Sequence, residues 1–162
     1  MAMTIRTDGI EELGAMLAKL NDKAQDVASG ALFDGAGIVA DAFRTAVNSI
    51  RTAPFKYAPP GKTRLPSPAE KEALLGKSGI ATFDKTGEEV NTLIGISGAA
   101  GYADVAGHTK AVRLIARSIN SGTSFMQKQP VFRKAKSTSS GPAKAAIVSK
   151  AEEMFNEIIG GK

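Results

Sequence analysis

Gly122-Thr123-Ser124-Phe125-Met126-Gln127-Lys128-Gln129-Pro130-Val131-Phe132-Arg133-Lys134-Ala135 is the stretch on which the reading of this chain turns. Its order of backbone constraints is uncommon. A Gly-Thr pair, permissive at its first position, ends an extended run. Pro130 then fixes φ and bars the residue before it from helix, after which an aromatic and two cations open a new helix. Phe132, one residue into that helix, is placed to seat its ring between helix and sheet.

Downstream, Pro142 suits a first helical position. Ile147, Ala151, Met154, Phe155, Ile158 and Ile159 then recur at helical spacing until Gly160-Gly161. Upstream, Val112 to Ile119 is the best candidate for a further strand, although Val112, Ile115 and Ile119 also fit a helix. Before it, Gly79–Phe83 and Val90–Ile96 read as strands joined by a turn at Asp84-Lys85-Thr86-Gly87. Val90, Thr92, Ile94 and Ile96 share one face, as a sheet covered on one side by helix requires. Two strands alone are marginal, so the run before Gly122 is needed as a third. Ala99 to Ala106 reads as a turn or short helix at the sheet edge.

At the start, Asp8 and Glu11 form a variant capping box ahead of Ile10, Leu13, Leu17 and Leu20 at helical spacing. Asn21 and Asp22 interrupt that helix, and a longer second one follows through Val27, Ala31, Ile38, Phe43, Val47 and Ile50. Gly30, Gly35 and Gly37 lie inside it, so it bends there or another backbone packs closely on it.

From Thr52 to Pro68 the character changes, for five of the chain's seven prolines are here. Phe55 and Tyr57 are interleaved with Arg51, Lys56, Lys62 and Arg64. The two rings pin the loop to the core, or the loop is an arm that orders on a partner. The arm is the expectation, with residues 52–71 as a flexible basic loop within a single domain, 1–162.

Composition sets the outer bounds. The 162 residues, 43% of them apolar, suit one domain with a real core. No apolar run reaches the length of a membrane span, and Met1-Ala2-Met3-Thr4-Ile5-Arg6 lacks the apolar core of a secretory signal, so the expectation is cytoplasmic synthesis. With no cysteine there is neither a disulfide framework nor a thiolate nucleophile. The net charge of +5 hides a polarised chain. Residues 1–50 carry seven acids and four bases, whereas 110–136 carry Lys110, Arg113, Arg117, Lys128, Arg133, Lys134 and Lys136 and no acid. Such a run is either a solvated face or a surface for an acidic neighbour or nucleic acid.

No catalytic motif survives inspection. Gly61-Lys62-Thr63 matches the tail of a phosphate-binding loop, but Lys56 stands where its first glycine belongs, and Pro59 and Pro60 remove two backbone donors. The lone His108 has no second histidine or thiolate to complete a metal site. Gly98, Gly101 and Gly107 lack dinucleotide spacing. The expectation is a protein that is not an enzyme and has no cofactor and no bound metal.

The opening segment resembles the "Gly-Thr, Met, Pro-Phe, Arg, Ala" signature of the head-tail joining or tail-completion (neck) proteins of long-tailed bacteriophages. Gly122, Thr123, Met126, Pro130 and Phe132 carry the likeness. The chain departs from the pattern at Asn120 and Ser121, where family members usually carry an acid, and in its longer, proline-richer central loop. The resemblance implies an α+β fold, with N-terminal and C-terminal helices packed on a small antiparallel sheet and a long basic Pro-rich loop. It also decides for a strand at 112–119.

For function it implies a phage or prophage virion protein that connects head and tail as a ring around the DNA channel, and that can be a monomer when free in solution. Its partners would be other neck and tail proteins, on the portal or adaptor side or on the tail tube or terminator side, and passing DNA met non-specifically, with no membrane. It would act in the virion after assembly in the host cytoplasm. The residues expected to meet partners are Arg51, Lys56, Lys62, Arg64, Arg113, Arg117, Lys128, Arg133 and Lys134. A small basic nucleic-acid-binding protein is the alternative, although no helix-turn-helix, zinc finger or aromatic RNA-binding strand is evident. A small hydrolase is the weaker rival, lacking a visible pair of nucleophile and base.

Overall fold

The computed structural model describes residues 10–81, 84–86, 89–96, 101–103 and 109–160, with side chains at 18–81, 90–96 and 111–160. The architecture is α+β, with long N- and C-terminal helices and a small antiparallel sheet component. Helix α1 spans Ile10–Asn48 and α2 spans Pro68–Lys77. Short strands β1 (Ser78–Ile80), β2 (Asp84–Thr86), β3 (Glu89–Asn91), β4 (Ile94–Ile96), β5 (Gly101–Ala103) and β6 (Thr109–Ala111) follow. Helices α3 (Val112–Ser121) and α4 (Val131–Gly160) complete the order.

The break expected at Asn21-Asp22 does not occur. Both residues are exposed, so their polarity costs the helix only propensity, and α1 continues through them. Its glycines answer to close packing. A Cβ on Gly35 would lie 2.7 Å from Ile147 Cδ1 and 3.0 Å from the Ala143 carbonyl oxygen, and one on Gly30 would lie 2.8 Å from Met154 Sδ. With Phe43 stacked on Phe132 at 5.0 Å between centroids, these contacts fix α1 and α4 as an antiparallel pair. Buried Ala31 and Ala46 on α1 and Ala135, Ser139 and Ala143 on α4 let the two backbones approach.

Pro142 does not start α4. It sits inside one continuous helix on an exposed face, and Thr138, whose carbonyl loses its helical N–H partner, is exposed as well. Pro130 does mark the boundary as expected, since α4 begins at the next residue.

The strand expected at 112–119 is a correction. Residues 112–121 are helix α3, with Val112, Ile115, Ala116 and Ile119 buried in a single stripe. That stripe meets Val47, Ile50, Leu74 and Met126 in the main core. The β-branched composition suggests a strand, but the spacings of three and four follow the helical period, and burial falls on one helical face.

The expected hairpin exists with a different turn. Ser78↔Ile96, Gly79↔Gly95 and Ile80↔Ile94 pair in one ladder; Asp84↔Asn91, Lys85↔Val90 and Thr86↔Glu89 pair in the next. Asp84–Thr86 is therefore strand, and the reversal lies between Thr86 and Glu89. The register changes by one between the two ladders. Val90, Thr92, Ile94 and Ile96 are half-buried while Asn91 and Leu93 are exposed, which is the expected alternation. Part of the segment read as a turn or short helix, Gly101–Ala103, is instead a strand paired with Thr109–Ala111. Residues 97–100 and 104–108, including Gly98, Gly107 and His108, lie outside the described residues.

Candidate docking cleft

The Gly122–Pro130 segment and the proline-rich loop hold each other. After α3, Gly122 takes φ +78° and ψ 159°, a region essentially reserved for glycine, and a Cβ there would meet Lys128 Cβ at 3.0 Å. Thr123 then closes a turn, donating its N–H to the Met126 carbonyl at 3.0 Å and accepting the Met126 N–H on Oγ1 at 3.0 Å. This drives Met126 into the core, where it is 2% exposed. Three members of the signature thus have structural work: the conformation, the turn and the plug.

Arg64 runs beside this turn in a parallel bridge, its N–H donating to the Phe125 carbonyl and its carbonyl accepting the Gln127 N–H, both at 2.9 Å. Buried Gln129 clasps the other end of the loop. Its Oε1 accepts the Arg51 N–H at 2.9 Å and its Nε2 donates to the Arg51 carbonyl at 3.1 Å. Ala53 N–H donates to the Pro66 carbonyl at 3.0 Å, closing the base of the loop. The expectation of a flexible arm over 52–71 therefore needs revision at its ends, since the loop is stitched at Arg51, Ala53 and Arg64, and α2 begins at Pro68.

Helix α2 starts on a complete capping box: Glu70 N–H donates to Ser67 Oγ at 3.2 Å, and Ser67 N–H donates to Glu70 Oε2 at 2.7 Å. Glu70 is 1% exposed. Arg64 meets it with both guanidinium arms, Nη1 to Oε2 at 2.7 Å and Nη2 to Oε1 at 2.6 Å, and lies 4.8 Å over the Phe55 ring. Burial pushes the Glu70 carboxyl upward, but the Arg64 and Ser67 hydrogen bonds outweigh it and hold the group below its ordinary value. Lys71, one residue on, donates to the carbonyls of Asn48 and Ile50 at 2.7 and 3.3 Å, serving the otherwise open end of α1.

Between α3 and the 121–126 turn lies a cleft of about 740 Å³, with Arg64 and Glu70 among its lining residues. Its apolar walls are Ile115 and Met126 with Leu114 and Phe125, the last two 55% and 50% exposed. Arg117 lines it as well, and Arg113, one helical turn away on α3, is exposed beside it. With Glu70 engaged by Arg64, the cleft presents apolar surface and positive charge.

The expected partner-binding cations separate into distinct places. Lys56 and Lys62 are exposed on the loop, as is Arg51, whose backbone is clasped. Arg64 is a structural residue through Glu70. Arg117 belongs to the cleft, and Lys128 is exposed after it. Lys134 lines a separate groove of about 260 Å³ between α1 and α4, with Arg133 exposed beside it. Phe132 is half-buried and its ring stacks on Phe43 of α1, so it seats between two helices rather than between helix and sheet. Sequence reasoning missed Leu114, Phe125, Ser67 and Glu70. The Ser-Pro-Ala-Glu order at 67–70 was a legible cap signal, whereas Leu114 becomes conspicuous only when 112–121 is helix and it falls opposite the buried stripe.

Among the described residues, no group of three His, Asp or Glu side chains is placed to hold a metal ion, and no helix is long and apolar enough to cross a membrane. Comparison with protein-family models, with curated proteins and with solved structures finds no match.

Proposed function

We propose that this chain is a virion structural protein of a long-tailed phage or prophage, which connects head and tail at the neck and assembles as a ring around the DNA channel. The observation that carries the reading is the place of the signature segment. Its Gly122, Thr123 and Met126 build one wall of a cleft that leaves Leu114 and Phe125 exposed beside Arg117. A monomer that keeps large apolar side chains in a cation-edged cleft is built to bury them on a partner. Neighbouring neck and tail proteins are those partners, and the loop tip bearing Lys56, Tyr57 and Lys62 is a further contact. Assembly takes place in the host cytoplasm and the product is part of the virion.

The exposed cations Arg113, Arg117, Lys128, Arg133 and Lys134 also suit non-specific contact with passing DNA. In a gel-shift titration the free protein binds duplex DNA weakly and loses it steeply as salt rises. Tight, sequence-selective binding at physiological salt would instead favour a small basic nucleic-acid-binding protein. The decisive test is a head-tail joining assay with Arg133→Ala and Lys134→Ala, paired with thermal melts. Both variants fold, since surface changes of this kind stay within about 0.5 kcal/mol, and both join heads to tails poorly. Normal joining by the folded variants would remove that basic surface from the docking role.

A further inference from the structure

We infer that the cleft between α3 and the 121–126 turn receives the first turns of α1 from a second copy of this chain. The inference rests on the assembly reading and names the contact that would build the ring.

Helix α1 begins at Ile10, and Ile10, Leu13, Leu17 and Leu20 recur at helical spacing. Met154 lies against Gly30 and α4 ends at Gly160, so at 1.5 Å per residue the antiparallel partner stops roughly level with Ala24. The turns of α1 before that point extend past the end of α4. Over residues 10–22 the sequence carries Glu11, Glu12 and Asp22 against the single Lys19. The sequence of these turns is that of an acidic amphipathic helix. The cleft at the other end offers Leu114, Phe125, Ile115 and Met126 for an apolar stripe, and Arg113 and Arg117 for its acids.

A chain cannot fill its own cleft in this way. Ile115 and Met126 of the cleft pack with Val47 and Ile50 at the far end of α1. From Leu17 to Val47 the helix rises about 45 Å, so the two complementary surfaces of one chain stay apart. The contact is therefore heterologous, one chain's acidic end in the next chain's basic cleft. Such contacts propagate until the rotation between neighbours closes a ring. Opposite charge steers the encounter and apolar burial holds it.

The test uses the full chain and sedimentation at rising protein concentration. Wild type associates, and association weakens with added salt. Arg117→Glu and Leu114→Asp, both changes at exposed positions, each lower the association constant about tenfold or more. Glu11→Lys with Glu12→Lys does the same, and adding Arg117→Glu to that double variant restores binding toward wild type. Because the chain has no cysteine, Leu17→Cys and Leu114→Cys proteins can be mixed under oxidation. A disulfide heterodimer forms in the mixture and neither variant dimerises alone. Wild type that stays monomeric, association indifferent to Arg117→Glu, or a mixture that does not cross-link overturns the contact. The assembly reading fails separately: a protein that associates through this cleft yet cannot complete tails retains the contact and loses the function, and a monomer that completes tails does the reverse.

Discussion

The two ends of the α1–α4 helix pair are held by different physics. Toward Met154 and Ile147 the pair closes on Gly30, Gly35 and Ala143, a fit of shape in which small residues let backbones touch. Toward Asn48 and Val131 the same helices flank a hub where polar groups are buried and matched. There Gln129 clasps Arg51, Arg64 grips Glu70, Ser67 caps α2, and Lys71 serves the carbonyls ending α1. A shape contact tolerates loss of a polar group and fails on added volume. A buried polar hub tolerates added surface and fails when one partner is removed. Each end therefore predicts its own mode of failure.

The largest effect is expected in the hub. Glu70→Gln keeps the volume but removes the charge that Arg64 faces, and breaking one partner of a buried pair costs about 3 to 5 kcal/mol. Urea melts at neutral pH measure it. Acid should reveal the same pair in wild type. The Glu70 carboxyl is held below its ordinary 4.5, so its contribution is full above that value and is lost as pH falls through the lower folded-state value. Stability of wild type declines in that window, and Glu70→Gln removes this part of the decline. Parallel acid curves for the two proteins would mean that the pair adds nothing to pH dependence.

Much of this contrast was legible in residue order, and the failures share a cause. The stripe Ile147, Met154 and Ile158 announced α4, and the alternation over Val90 to Ile96 announced β3 and β4, which are two strands separated at Thr92-Leu93, because in both the half-buried positions repeat at one period. Val112, Ile115 and Ile119 satisfy a helix and a β-rich composition together, and only the neighbours they meet decide between them. Asn21-Asp22 and Pro142 looked like boundaries because local signals there are real, but both lie on exposed faces where packing on the opposite side carries the helix through. For the cleft, the sequence exposed the cations. It could not expose that Glu70, six residues from Arg64, takes that guanidinium out of the binding surface, nor that Leu114 faces away from its own helix's core.

A smaller effect belongs to the junction of the two regions, where Phe132 stacks on Phe43 beside the core cluster. A fully buried ring would cost 3 to 5 kcal/mol on truncation, on the order of half a domain's stability. Phe132 is only half-buried, so Phe132→Ala should cost about 2 kcal/mol, the transfer of part of a ring and one stacked contact. Phe43→Ala should cost a similar amount. The double variant should cost less than the sum, because the stacked contact is lost only once. Strict additivity in denaturant melts would show that the rings stabilise their helices separately.

The smallest effects give the cleanest separation of shape from propensity, because two glycines on one helix differ in surroundings and little else. At Gly35 a methyl group would stand 3.0 Å from the Ala143 carbonyl oxygen and nearer still to Ile147, whose branched side chain is confined by the helix it belongs to. At Gly37 nothing lies within 4 Å. Alanine at either position gains the same backbone term, about 0.5 to 1 kcal/mol of helix stability. At Gly37 that gain stands alone, so Gly37→Ala should stabilise by about that amount. At Gly35 overpacking costs about 1 to 3 kcal/mol and reverses the sign, so Gly35→Ala should be net destabilising by about 1 kcal/mol. Paired thermal melts of the two variants read the difference directly. Equal stabilisation at both sites would mean that α4 yields freely to added volume, and that the shape-fitted end of the pair is no more constrained than open solvent.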